Sequence, residues 1–404
     1  MMGSMTITST PPRTKGRIRV LAVVGLVLAA INLRPAVTSL GPVLEEVRAS
    51  LGMSAAVAGL LTSVPALCFA LVGFTAPLLA RRWGTGGVIA LGMTALAAGL
   101  TVRPFAGGTA SFIALTALAL AGIALANVLL PVVVKQRFPD RVGAMTGLYS
   151  VALNLGASTA AAVTVPLTGA FGGDWRWGIG VWALVAASAL PAWVLLARER
   201  TPSTTPSVPV TAAPALRLTR NPIAWSLAVY FGLQSTVAYV IMGWLPQIFR
   251  DAGISAGTAG LLFAVTALLG VPLSFVLSAV AGRLPRQSGV AVIIGLFGLA
   301  GYAGLWADPA AAPWLWVVLL GVANCSFPLA LTMIALRGRD TATVVRLSAF
   351  AQSTGYLLSI PGPIAVGILY EHTGSWKIPL AVLALLMVPQ MIAGFLAGRD
   401  RQIG

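Results

Sequence analysis

Apolar runs of roughly twenty residues or more, each closed by a short polar or Gly/Pro-containing interruption, repeat along the whole chain. Read as helices, they predict spans at about 18–43, 54–80, 86–104, 109–134, 142–170 and 176–197. A second set follows at about 221–248, 256–281, 289–306, 313–336, 345–370 and 377–397. At ~1.5 Å per residue each can cross ~30 Å of hydrocarbon. The expected architecture is an all-α integral membrane protein of twelve transmembrane helices in two pseudo-symmetric six-helix bundles. Its parts are a disordered polar N-terminus (1–17), a first bundle (18–197), a connector (198–219), a second bundle (220–398) and a tail (399–404). The first run is too long for a signal-peptide core and lacks a cleavage site, so it reads as a retained helix. The connector carries Pro202, Pro206, Pro209 and Pro214 among small residues, which suits a flexible link.

The two halves echo each other, as an internal duplication requires. Ser54-Ala55-Ala56-Val57-Ala58-Gly59-Leu60-Leu61 opens the second span, and Ser255-Ala256-Gly257-Thr258-Ala259-Gly260-Leu261-Leu262 opens the eighth. Asn127 and Pro131 in the fourth span are matched by Asn324 and Pro328 in the tenth.

Composition agrees with the pattern: 58% of residues are hydrophobic and only 9% charged, whereas soluble domains carry about a quarter charged. The net charge of +16 is explained by topology. With the N-terminus inside, twenty of the 26 Lys and Arg residues fall in cytoplasmic segments and five (Arg48, Arg103, Arg176, Arg250 and Lys377) in outer loops. Both termini are therefore expected to be cytoplasmic in a multi-pass cell-membrane protein whose main partner surface is the lipid bilayer. The basic groups lack aromatic interleaving, so no nucleic-acid partner is expected. The two cysteines, Cys68 and Cys325, sit in apolar runs and form neither a disulfide framework nor a metal site.

One basic residue is left over. Arg34, in Asn32-Leu33-Arg34-Pro35, lies near the middle of the first span, about 3 Å from its midpoint. A charge at that depth costs roughly 2.5–3.5 kcal/mol on insertion scales. Pro35 withholds an N–H from the Ile31 carbonyl and disfavours helical geometry at Arg34, so the turn should be kinked or unwound. Arg34 could brace helices through backbone carbonyls, but its depth and the lack of a second-half counterpart favour an anion site or a gating contact beside it. All ten carboxylates (Glu45, Glu46, Asp140, Asp174, Glu199, Asp251, Asp308, Asp340, Glu371 and Asp400) fall in loops or at helix ends, leaving Arg34 without an acidic partner at the midplane.

Neutral polar groups within the spans complete a candidate pocket: Asn32, Thr38, Asn127, Tyr149, Asn154, Gln234, Tyr239, Asn324, Gln352 and Tyr356. Each could equally be a helix–helix hydrogen bond. Gln352 and Tyr356 share a helix face. Trp244, beside Pro246, is expected in the outer aromatic belt. Glu45 and Glu46 read first as a solvated helix end and second as a gating or proton-holding pair, and Arg81 and Arg82 join them as gating candidates. With no His, Asp or Glu inside a span, the chain offers no acid–base pair or metal ligand at depth, which excludes an intramembrane enzyme and predicts no cofactor.

The Asn32-Leu33-Arg34-Pro35 run with Thr38-Ser39 and Gly41-Pro42, then Phe138-Pro139, Trp244-Leu245-Pro246, Phe327-Pro328-Leu329 and Gln352 with Tyr356, resembles the cyanate and nitroimidazole (CynX/NimT) branch of the major facilitator superfamily. The resemblance covers residues 17–397. It implies a monomeric secondary transporter in which two bundles rock around a central site that takes a cyanate-like anion or a nitro-heteroaromatic compound, with proton coupling open. The superfamily's loop between spans two and three is met only in part, since Arg81-Arg82-Trp83-Gly84 lacks the usual acid. The rival readings are a broader drug or metabolite exporter of the same fold and a membrane receptor or sensor without flux.

Overall fold

A computed structural model of the protein describes residues 12–73, 75–198 and 218–403. The expected disordered stretch up to residue 11 and the Pro-rich part of the connector lie outside the described residues. Span one is Pro12–Asn32, Pro35–Thr38, a 3-10 turn Gly41–Val43 and Leu44–Leu51. Span two is Ala55–Leu71, continued after a turn by the first two turns of Ala76–Val102. Gly84 (φ 75°, ψ 157°) breaks that second helix, a left-handed position open to glycine, and the remainder is span three. Spans four to six are Thr109–Arg137, Val142–Ala170 and Trp175–Arg198. Spans seven to nine are Pro222–Asp251, Ala256–Arg283 and Ser288–Ala307. Span ten is Pro313–Ala323 with Ser326–Arg337, span eleven Thr341–Ser359 with Pro361–Thr373, and span twelve Lys377–Ala397. Eleven of these helical stretches are long and apolar enough to cross a membrane, and Ala55–Leu71 is a shorter apolar twelfth.

The echo between spans two and eight extends to their caps. Ser54 Oγ accepts the Val57 N–H, and Ser255 Oγ accepts the Thr258 N–H, each closing the first turn of its helix. The second echo has diverged. Span four runs unbroken through Pro131, whereas span ten is interrupted at residues 324–325. There Pro328 has no N–H to offer the Asn324 carbonyl, which takes the Phe327 N–H at 3.3 Å instead.

Hydrophobic burial divides the molecule along its long axis. One core, including Leu26, Ile89, Leu129 and Trp193, belongs to spans one to six alone. A second, including Tyr230, Ile294, Met333 and Leu347, belongs to spans seven to twelve alone. A third is shared: Leu40, Val43, Leu61 and Phe112 pack in one cluster with Val240, Trp244, Phe263 and Leu380. The shared core lies toward the face opposite the termini, hereafter the far face, and there spans two and eleven and spans five and eight come into contact. The halves are therefore joined on that side.

Two arginines assigned to loops by topology are buried instead. Arg337 is 2% exposed, gives its Nε–H to the Ala397 carbonyl at 3.0 Å and bonds Gln287 Oε1, tying spans ten and twelve together at the terminal face. Arg103, at the far end of span three, is fully buried. Counting charges in loops says nothing of whether a side chain turns inward.

Candidate functional site

The break in span one sits where Pro35 removes the N–H that would have bonded the Ile31 carbonyl. Leu33 N–H falls back on the Ala30 carbonyl at 3.2 Å, and Arg34 takes up φ −121°, ψ −32° as the residue before a new helix with Pro35 in its first turn. The Arg34 carbonyl then accepts from Val37 and Thr38 N–H, both at 3.0 Å, and from Thr38 Oγ1 at 3.2 Å. The released Ile31 carbonyl lies against Gly156 of span five, where a Cβ would overlap it. Gly156→Ala is expected to cost about 1–3 kcal/mol by forcing the spans apart. A thermal melt should show a lowered midpoint, with Gly169→Ala unchanged because nothing lies within 4 Å of that position.

The Arg34 side chain is half-buried and points across to the other half, where its Nη1 meets Met242 Sδ at 3.8 Å. Among the described residues no acid pairs with it. Tyr149, Tyr239 and Tyr356, brought from spans five, seven and eleven, lie in its neighbourhood. Tyr356 also stacks on Phe69 of span two at 5.4 Å and meets Phe231 edge-on at 5.0 Å; Phe327 lies 5.9 Å beyond Phe231. A guanidinium, phenol hydroxyls and flat aromatic walls thus come together between the halves. Such a set can hold negative charge or an electron-rich polar group against a planar face. No cluster of potential metal ligands occurs among the described residues.

The other sequence candidates are less uniform. Asn32 gives its amide hydrogens to the Leu28 and Val185 carbonyls at 2.8 and 3.0 Å, which ties span one to span six. Asn154 bonds the Ser150 carbonyl at 2.8 Å and lies near Gly270 of span eight. Gln234 donates to Ser235 Oγ and Gln352 to Ser348 Oγ, both within one helix. Asn127 and Asn324 are half-buried, and their side-chain amides make no hydrogen bond within the described chain. Arg81 and Arg82 are exposed on the terminal face; Arg82 lies over the Trp83 ring at 5.9 Å, and neither has an acid partner among the described residues.

Glu45 and Glu46 are not a free helix end. Arg250 of span seven holds Glu46 through two bonds of 2.9 Å, reaches Glu45 at 3.1 Å and also donates to the Pro42 carbonyl at 3.1 Å. Gln247 bonds Glu45 at 3.2 Å and Asp251 at 2.7 Å, and Asp251 in turn accepts from Tyr370 and Trp376. Ser63 donates to the Ile360 carbonyl at 2.8 Å, and Ala56 N–H to Glu371 at 2.9 Å. These bonds between halves, together with the shared core, close the far face. Trp244 belongs to this closure and not to a lipid-facing belt: it is fully buried, with Arg48, Tyr370 and Trp376 packed on it. Met242, Phe69 and Arg250 carried no distinguishing sequence signal. Glu45 and Glu46 were legible as gating candidates, but their partner Arg250 was not.

The family model of the Major Facilitator Superfamily matches residues 26–359. The chain is 36% identical over 388 residues to the uncharacterized transporter YycB of Bacillus subtilis (strain 168), covering 94% of each. It is 32% identical to the 2-nitroimidazole transporter of Escherichia coli (strain K12), covering 96% of this chain and 98% of that one. It is 30% identical to the cyanate transport protein CynX of the same organism, covering 91% and 94%. Among solved structures, a bacterial homolog to the human lysosomal transporter Spinster, inward-facing and occupied, superposes with a TM-score of 0.75 at 15% identity, covering 96% and 97%.

Proposed function

The chain belongs to the major facilitator superfamily and is a multi-pass secondary transporter, not an enzyme; from that premise we propose that Arg34 binds a small, planar, anionic or electron-rich solute. The observation that carries this reading is a guanidinium at a broken mid-span turn, with no acid partner among the described residues, reaching Met242 of the other half. An uncompensated cation between the halves is stabilised by a ligand that brings the missing charge. The stacked Phe69 and Tyr356 favour a flat solute, which suits a nitro-heteroaromatic ring and also a compact linear anion lying against it. The names of the E. coli relatives are consistent with both.

The terminal face is cytoplasmic on this reading, because the sequence assigns twenty of the 26 basic residues to the segments on that side. The described state is then closed outside by Arg250 with Glu45 and Glu46. Alternating access consists of parting that seal while the cytoplasmic ends of the halves come together. Residues 198–219 connect the two six-helix units in sequence.

Proteoliposomes supply the test. Cyanate and 2-nitroimidazole are presented to the purified protein with and without an imposed pH gradient. Saturable, protein-dependent uptake of at least one is expected, and the absence of uptake of both would overturn the substrate class. A rate unaffected by collapsing the gradient excludes a proton as the co-transported ion.

A further inference from the structure

Arg103 is a further cation buried among the helices, and the site above does not use it. It opens the short turn Arg103–Phe105 at the far end of span three, is fully buried, and faces the Phe112 ring at 5.6 Å. Its Nη1 donates to the Ala36 carbonyl at 2.9 Å, while Nε and Nη2 have no hydrogen-bond partner. A guanidinium stays charged in proteins, so holding one dry on a single carbonyl is expensive, and an apolar side chain would fill the space at lower cost. What arginine adds is reach to that carbonyl.

The Ala36 carbonyl needs a donor because span one breaks a second time. In a continuous helix Leu40 N–H would reach Ala36; here it bonds the Val37 carbonyl at 3.1 Å. Ala36 lies inside Pro35–Thr38, the short helix whose Val37 and Thr38 N–H groups hold the Arg34 carbonyl. Four residues of helix have little stability of their own. Anchoring one carbonyl from a neighbouring span fixes the piece, and with it the point from which the Arg34 side chain departs.

We propose that Arg103 is the positioning residue of the Arg34 turn: by capping the Ala36 carbonyl from span three it sets where the Arg34 guanidinium stands between the halves. The effect on transport rests on the reading of Arg34 as a solute contact; the structural effect does not.

The experiment has two arms on the full-length purified protein. In the first, amide hydrogen exchange is followed by mass spectrometry for Arg103→Leu and Arg103→Lys. Arg103→Leu should speed exchange in residues 34–41 by about tenfold, the equivalent of one lost hydrogen bond to a charged group, and leave spans seven to twelve at the wild-type rate. Arg103→Lys, which keeps a long donor, should restore most of the protection. Unchanged exchange in residues 34–41, uniform loosening of the whole chain, or no recovery in the lysine variant would each overturn the proposal. In the second arm, 2-nitroimidazole uptake by Arg103→Leu should show KM raised about tenfold with Vmax within about twofold of wild type. A fall in Vmax alone would overturn it. If the wild type carries cyanate alone, the KM comparison is made with cyanate; if it carries neither solute, the substrate reading fails, and the exchange arm decides the role of Arg103 by itself.

Discussion

Arg34→Gln should fold, insert and lose transport. The guanidinium has no acid partner among the described residues and one weak contact, Met242 Sδ at 3.8 Å, so removing it leaves no buried counter-charge behind and creates little strain. Destabilisation should therefore be small, unlike the loss of one member of a buried ion pair. A bound anion, by contrast, loses a charge-assisted fork worth about 1.5–3 kcal/mol, which corresponds to roughly a 10- to 150-fold fall in uptake at low solute concentration. Arg34→Lys should fall between the two, because an ammonium keeps the charge but not the planar double donor. The check is initial uptake rate in proteoliposomes beside the thermal midpoint of each variant. If Arg34→Gln transported normally, or lost transport only by unfolding, Arg34 would be a structural brace.

The second large effect is expected at the seam between spans two and eleven. A Cβ on Gly367 would overlap the Ala55 carbonyl, and one on Gly59 would overlap the Pro363 carbonyl. Both obstacles are backbone, so no rotamer change relieves them. Gly59→Leu and Gly367→Leu should make the closed far face untenable, at a cost of about 1.5–3 kcal/mol or more in that state alone. The population should shift by at least about tenfold toward the state open on that face. In a background with Cys68 and Cys325 replaced, a cysteine at Leu40, now 5% exposed in the shared core, reports the change. Labelling by a membrane-impermeant maleimide should accelerate at least about tenfold while net flux falls to background. Slow labelling with intact flux would mean that the far face closes by some other contact.

Much of the architecture was legible because hydrocarbon imposes it. Span length and the break before Pro35 follow from backbone chemistry and need no knowledge of neighbours. The serine caps of spans two and eight likewise show in the sequence. Arg34, Tyr149, Tyr239 and Tyr356 could be picked out because polar atoms are rare at depth, and the structure gathers these four. What stayed hidden depends on rotation about the helix axis and on contacts between distant segments. Asn32 and Arg34 are two residues apart, yet one turns to the Val185 carbonyl and the other to Met242. Arg103 and Arg337 look like loop charges until packing shows them turned inward. The pairing of Glu46 with Arg250 spans 204 positions, beyond the reach of any local pattern.

The cores shared and unshared between the halves give the switching equilibrium a thermal character. On the proposed alternating-access reading, opening the far face would wet Leu40, Val43, Val240 and Trp244, whereas the two private cores each lie within a single half and would stay dry. Exposure of apolar surface raises heat capacity, so the free-energy gap between the two states curves with temperature. Near room temperature the apolar part of the seal is held mainly by the entropy of water and loosens on cooling, while the bonds from Arg250 respond to ionic strength. Temperature and salt are thus separate handles on the same gate.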